Sequence, residues 1–237
     1  MLVASHTPNM TGVLLSGEPD DFRALYESLH KIVGNVDPNI EDGSVLRILG
    51  FCYDVRHTFM GHRNAAFEEH GFDEEHLAFL SLVGPKQNLH LSFETFWPEM
   101  LYIVFSLETC IKDYQKTSKA TIWDPHITQA RILQSAITML VEETVTSRQF
   151  ASFQKWITEN SIERIIYAQY IDYLNSKWND LDVEKRKKNF NIFAKRTCQL
   201  TSDYERQKRL VIEAAIEHRC LPSEIHYPSE FYNHVEW

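Results

Sequence analysis

Apolar residues recur at two periods along this chain, and the change from one to the other organises it. Val13 to Leu15 is a short β-like run. Ser16-Gly17 then turns the chain into a helix that carries Pro19 in its first turn and ends near Gly34. Helical spacing returns over Val45 to Arg63. At about 100° per residue, Val45, Ile48, Leu49, Cys52, Val55 and Phe59 share one face, with Ser44 as the N-cap and Gly61 at the end. The segment Asn64 to Lys86 is acidic and irregular, with one short helix expected around Asp73 to Leu82. Leu89, Leu91 and Phe93 alternate with His90, Ser92 and Glu94, the period of a half-buried strand. Trp97-Pro98 starts a strongly apolar helix that runs to about Tyr114 and is apolar enough to be the central one.

From Asp124 onward the pattern is helical almost throughout. Asp124-Pro125 supplies an N-cap followed by proline, Asn160 or Ser161 caps a later run, and Ser202 with Glu205 makes a capping box. The predicted helices cover 125–145, 148–158, 161–178, 182–200 and 203–218. The fold class read from this is α+β and predominantly α-helical. A small two- or three-stranded sheet with helices occupies residues 1–120, and a helical bundle occupies 121–220. An aromatic tail follows at 221–237. Gln115 to Ala120 is the linker candidate between the two parts, which fit one composite domain equally well.

The tail echoes itself, Pro222-Ser223-Glu224-Ile225-His226-Tyr227 being followed by Pro228-Ser229-Glu230-Phe231-Tyr232-Asn233. Its prolines exclude a regular helix, and its apolar content predicts docking, either on its own helical half or on a partner such as a second copy.

Composition narrows the class. With 237 residues and 43% hydrophobic content, the chain can bury a full core without staples. Cys52, Cys110, Cys198 and Cys220 show neither CxxC pairing nor framework spacing, so they read as reduced thiols in a cytoplasmic protein. The longest unbroken apolar run, Met100 to Phe105, falls far short of the ~20 residues of a membrane span, and the first residues lack a basic leader pattern. The formal charge of −9 argues against a surface that grips nucleic acid everywhere. Its distribution is uneven, however. Lys185 to Arg209 holds nine basic residues against two acidic ones, +7, which leaves −16 on the remainder.

Two groups of residues carry candidate chemistry. Arg56 falls among the apolar positions of its helix, where a guanidinium needs a carboxylate, phosphate or carbonyl partner. Asp54 and His57 lie three apart on the polar side, a spacing at which a carboxylate can orient an imidazole, and His62 follows. On the basic helix, Lys185, Lys188, Lys195 and Arg196 fall opposite a stripe of Val183, Phe190, Phe193, Ala194, Thr197 and Leu200. That face suits either solvent or phosphate contacts. No HExxH, paired-cysteine or glycine-rich phosphate motif is present, so neither a metal nor a cofactor is expected.

Arg56 followed by His62 resembles the signature of HEPN-type ribonucleases, although Gly61 interrupts the helix between them. The resemblance implies metal-independent RNA cleavage, with His62 moving a proton and Arg56 stabilising phosphate charge, assisted by Asp54 and His57. Separately, Thr7-Pro8-Asn9-Met10-Thr11-Gly12-Val13, the turn Ser16 to Phe22 and the stretch Leu46 to His57 together resemble a family of uncharacterised bacterial proteins. That resemblance implies a cytoplasmic bacterial protein with an α+β start, and no activity. The functional expectation is therefore a self-associating interaction or scaffold protein without a membrane segment. The alternatives are an RNA-cleaving toxin or defence effector, and a nucleic-acid-binding module using 185–209.

Overall fold

The computed structural model describes residues 1–34, 43–81, 86–159, 167–228 and 235–237. The chain opens with β1 (Val3–His6), β2 (Gly12–Gly17) and α1 (Pro19–Val33). It continues through α2 (Gly43–Phe59), β3 (Asn64–Glu69), α3 (Glu74–Phe79), β4 (Gln87–Phe96) and α4 (Trp97–Ser118). The remaining helices are α5 (Pro125–Thr144), α6 (Ser147–Glu159), α7 (Tyr167–Asn179), α8 (Val183–Arg196) and α9 (Ser202–His218), followed by a 3-10 turn at Pro222–Glu224. The fold is α+β and mostly helical, as the periodicity predicts.

The sheet is antiparallel in the order β1-β2-β4-β3, wider than expected because β1 and β3 both join it. Neither strand carries an apolar–polar alternation in its sequence, although β1 alternates exposed and half-buried positions. β3 is exposed along its whole length, so only its backbone pairing with β4 makes it a strand. The register sets Ala65 opposite Leu91 and Phe67 opposite Leu89. Leu89, expected inside with Leu91 and Phe93, lies beyond the edge of the body and is partly exposed. Val13, Leu15 and Phe93 form the inner face, where Phe93 meets Phe22 of α1 and Phe51 of α2 at ring centroids of 6.0 and 5.6 Å. α4 runs behind them with nearly every residue from Trp97 to Glu108 buried, and it is the central helix.

Local capping sets several helix boundaries. Asp124 accepts from the His126 and Ile127 amides, and Asp182 from Lys185. α9 is capped by Thr201, whose hydroxyl accepts from the Tyr204 amide, one residue earlier than the expected Ser202 box. Residues 115–118 form the last turn of α4, and Lys119 caps it in the left-handed region. The expected cap at Asn160 or Ser161 lies outside the described residues. One contiguous cluster of buried side chains runs from Leu2 to Tyr204 through both parts of the chain.

The two ends of the chain meet at the turn between β1 and β2. The Thr11 carbonyl accepts from Trp178 Nε1 (2.7 Å) and the Trp97 amide (3.3 Å). Its hydroxyl accepts from Arg186 (2.7 Å) and donates to the Glu236 carbonyl (2.5 Å). Asn9 holds the Trp237 carbonyl through its amide nitrogens, and the Trp237 ring packs on Phe96 at 5.1 Å. Nearer the start of the tail, Gln169 donates to the Pro222 carbonyl and Tyr227 meets Tyr173 edge-on. The described tail residues therefore dock on their own chain, and the last of them reach the sheet rather than the helical half. Gly12 permits this closeness. A Cβ there would stand 2.0 Å from the Thr95 carbonyl oxygen and 2.9 Å from the Trp237 ring.

Candidate functional site

A cavity of about 770 Å³ opens between α2, β4, α4 and α7, with the docked tail completing its wall. α2 contributes Leu46, Arg47, Gly50, Phe51 and Asp54 from the face beside its buried arc, with Phe51 shared between the two. β4 contributes Glu94, Thr95 and Phe96, α4 contributes Glu99 and Ile103, and α7 contributes Gln169, Asp172 and Asn175. Ser223, Ile225, His226 and Trp237 come from the tail.

The polar centre is a network around Arg47. Its guanidinium donates to Glu99 Oε2 at 2.9 Å and to Asp172 Oδ1 at 2.5 Å, and Asn175 Nδ2 donates to the same Glu99 oxygen at 2.9 Å. Glu99 sits in the first turn of α4, where the free amides and the helix dipole favour a carboxylate. Burial nevertheless pushes its carboxyl above the ordinary range. Asp172 and Asp54 push the same way, while Arg47 and Asn175 pull it down. Asp54 is held from the solvent side by Arg63 at 2.5 Å, and Glu94 accepts from Asn64 at 3.0 and 3.2 Å.

Two amide oxygens break the pattern of satisfied groups. Asn175 is fully buried and Gln169 is 9% exposed, yet Asn175 Oδ1 and Gln169 Oε1 have no hydrogen-bond partner among the described residues. Each amide nitrogen is committed, to Glu99 and to the Pro222 carbonyl respectively, which fixes the oxygens as the unused ends. Buried acceptors of this kind cost roughly 1–3 kcal/mol each when nothing meets them.

The residues singled out from the sequence lie elsewhere, with one exception. Arg56 is exposed rather than buried, its guanidinium 5.4 Å from the Tyr53 ring centroid. The buried arc of α2 is centred near Ile48 and Val55 and includes Phe51 and Thr58, so Arg56 falls off its far edge. His57 turns to His62 instead of Asp54, with 3.0 Å between the two Nδ1 atoms, one donating and the other accepting. Partial burial, with His62, Arg56 and Arg63 nearby, lowers the His57 pKa. Asp54 is the exception, since it lines the cavity.

On α8, Lys185 pairs with Asp182 at 2.7 Å, and Arg196 lies 3.8 Å from Asp203. Lys188 and Lys195 are exposed, whereas Leu200, expected in the inward stripe, is 59% exposed. Arg186, counted with the basic run, is buried and donates to the carbonyls of Trp178, Asn179 and Asn9. Among the described residues, no three His, Cys, Asp or Glu side chains converge as a metal site would require.

A family model described as a domain of unknown function, DUF6904, matches residues 2–237. The chain belongs to that family. The match covers both the sheet and the helical part, so every wall of the cavity falls within it. No curated protein and no solved structure matches the chain. Among the described residues, no helix is long and apolar enough to cross a membrane.

Sequence reasoning missed Arg47, Glu99, Asp172 and Asn175. Two signals were available, a glutamate directly after Trp97-Pro98 at the head of the most apolar helix, and an asparagine between the apolar Leu174 and Trp178. A polar residue on an apolar stripe marks a buried network, but the sequence does not reveal which helices meet there.

Proposed function

We propose that this protein binds a small molecule in the cavity between α2, α4 and α7. The observation that carries the reading is the convergence of Arg47, Glu99, Asp172 and Asn175 on a 770 Å³ space that is otherwise lined by Leu46, Phe51, Phe96, Ile103, Ile225 and Trp237. Pockets with an apolar lining and a few convergent polar groups are the usual form of a ligand site. Gly50 offers the test. It lines the cavity, and a Cβ added there meets nothing within 4 Å, so Gly50→Leu fills the space while improving helix propensity. In a fragment screen by ligand-observed NMR, compounds should bind the wild-type chain and Gly50→Ala and lose binding in Gly50→Leu. A screen without hits, or hits indifferent to Gly50→Leu, overturns the reading.

A second reading, self-association as an interaction protein, is favoured by a different observation. β3, the outer half of β4 and α3 form an arm whose residues are almost all exposed, with Phe67 at 70% and Phe79 at 86%. β3 is also one edge of the sheet, and a two-stranded ribbon gains little stability by itself. The arm, rather than the docked tail, is the better candidate contact with a second copy. Light scattering should report an oligomer that Phe67→Glu with Phe79→Glu converts to monomer, and a wild-type monomer at all concentrations would remove this reading.

The nucleic-acid readings have less support, because Lys185 and Arg196 face acidic partners and Arg56 stacks on Tyr53. The spacing of the four cysteines and the resemblance of the first half support a bacterial, cytoplasmic setting.

A further inference from the structure

Resting on the reading that the cavity binds a small molecule, we infer that its ligand is an organic cation, an ammonium or guanidinium group on a short apolar or aromatic body. Three independent features of the wall point there. The first is charge. Asp54, Glu94, Glu99 and Asp172 line the space, against Arg47 and the imidazole of His226 among the described residues. Arg47 already spends its two terminal nitrogens on Glu99 and Asp172, so an incoming carboxylate or phosphate would meet four carboxylates and a guanidinium already engaged.

The second feature is the polarity of the half-exposed wall. Among the described residues Glu94 accepts the neutral amide of Asn64 and has no cationic partner. A complementary ligand must therefore donate hydrogen bonds, and an ammonium brings three donors and a guanidinium five. The third is the apolar part of the wall. Phe51, Phe96 and Trp237 line the same space, and aromatic residues attract a cation while covering the hydrocarbon that carries it. A bare metal ion makes poor use of such a wall. The carboxylates are also dispersed among separate partners rather than gathered on one point, since no three metal-binding side chains converge among the described residues.

The experiment compares three probes that share one body and differ in charge: 2-phenylethylammonium, 2-phenylethanol and 3-phenylpropanoate, titrated into the full chain by calorimetry and NMR. The ammonium should bind at least about tenfold tighter than the alcohol, and the carboxylate should not bind. Glu94→Gln, which keeps the shape and the contact with Asn64, should weaken the ammonium several-fold without affecting the alcohol. Gly50→Leu should abolish both. Equal affinity for all three probes, preference for the carboxylate, or binding of none of them overturns the cation assignment. Failure of the cation assignment is separable from failure of the cavity itself. If the alcohol or the carboxylate binds and Gly50→Leu blocks it, the cavity is a ligand site of another class; if hits of every charge ignore Gly50→Leu, the cavity reading falls as well.

Discussion

Replacing Arg186 with methionine tests whether the buried guanidinium of α8 holds the two parts of the fold together. The side chain is 5% exposed and donates to Trp178 O (3.1 Å), Asn179 O (2.9 Å), Asn9 O (2.8 Å) and Thr11 Oγ1 (2.7 Å). Methionine keeps much of the stem volume and removes every donor. Trp178 O retains the Leu181 amide and the Thr11 hydroxyl retains Glu236 O, so the groups that lose most are the Asn9 and Asn179 carbonyls. At roughly 1–3 kcal/mol per orphaned acceptor, the gross cost is about 2–6 kcal/mol. Burying a guanidinium is itself expensive, and burial already lowers its pKa, so relief of that penalty brings the net loss to about 3 kcal/mol. For a chain of this length the loss corresponds to a fall in Tm of roughly 6–12 °C. Urea unfolding followed by tryptophan fluorescence should show a lower midpoint with an unchanged slope, and Arg186→Lys should fall between the two. A loss below about 1 kcal/mol would refute the reasoning, because it would mean that desolvation cancels everything the four bonds contribute.

Gly12→Ala should destabilise by at least about 3 kcal/mol, since the new methyl group must push β2 from the Thr95 carbonyl of β4; a melting temperature within 2 °C of wild type would contradict this. His6 accepts from Trp97 Nε1 through Nδ1 and meets Thr144 Oγ1 through Nε2, a neutral arrangement in which burial lowers its pKa while Glu143 opposes the shift. Below about pH 6.5 the unfolded chain therefore binds a proton that the folded chain resists. Stability should fall as pH drops through 6.5 towards the folded value, and denaturation curves of His6→Gln should be flatter over that window. Under native conditions iodoacetamide should modify Cys220 first. Cys52, whose thiol is pushed up to about 12 by burial, should be labelled only on unfolding, with peptide mass spectrometry as the readout.

Elements with strong local signals were legible in the sequence. α1 begins where Pro19 follows Glu18 and ends at Gly34, and α5 begins at Asp124-Pro125, because capping and proline geometry act within a turn. β3 was not legible, since a strand exposed on both faces has no alternation to read and owes its conformation to β4. Arg186 was hidden for a related reason. It sits in the run Lys185-Arg186-Lys187-Lys188, and only the neighbouring Asn9, Thr11, Trp178 and Asn179 distinguish it from the exposed residues beside it. Arg56 looked anomalous because a helical wheel gives angles but not the centre of the buried arc, and a shift of that centre carried it to solvent. The cavity needs side chains from three helices, a strand and the tail, so its residues carry no shared spacing to find.

β4 belongs to two surfaces at once. Its outer residues, Gln87 to His90, form one side of the arm, while Glu94, Thr95 and Phe96 form a wall of the cavity, and Asn64 at the root of β3 bonds Glu94 directly. If a partner binds the arm and a ligand binds the cavity, β4 and the Asn64–Glu94 bond are the direct connection between the two. Thermodynamic reciprocity then fixes the accounting: any factor by which a bound ligand changes the affinity of the arm for its partner is the factor by which that partner changes the affinity for the ligand.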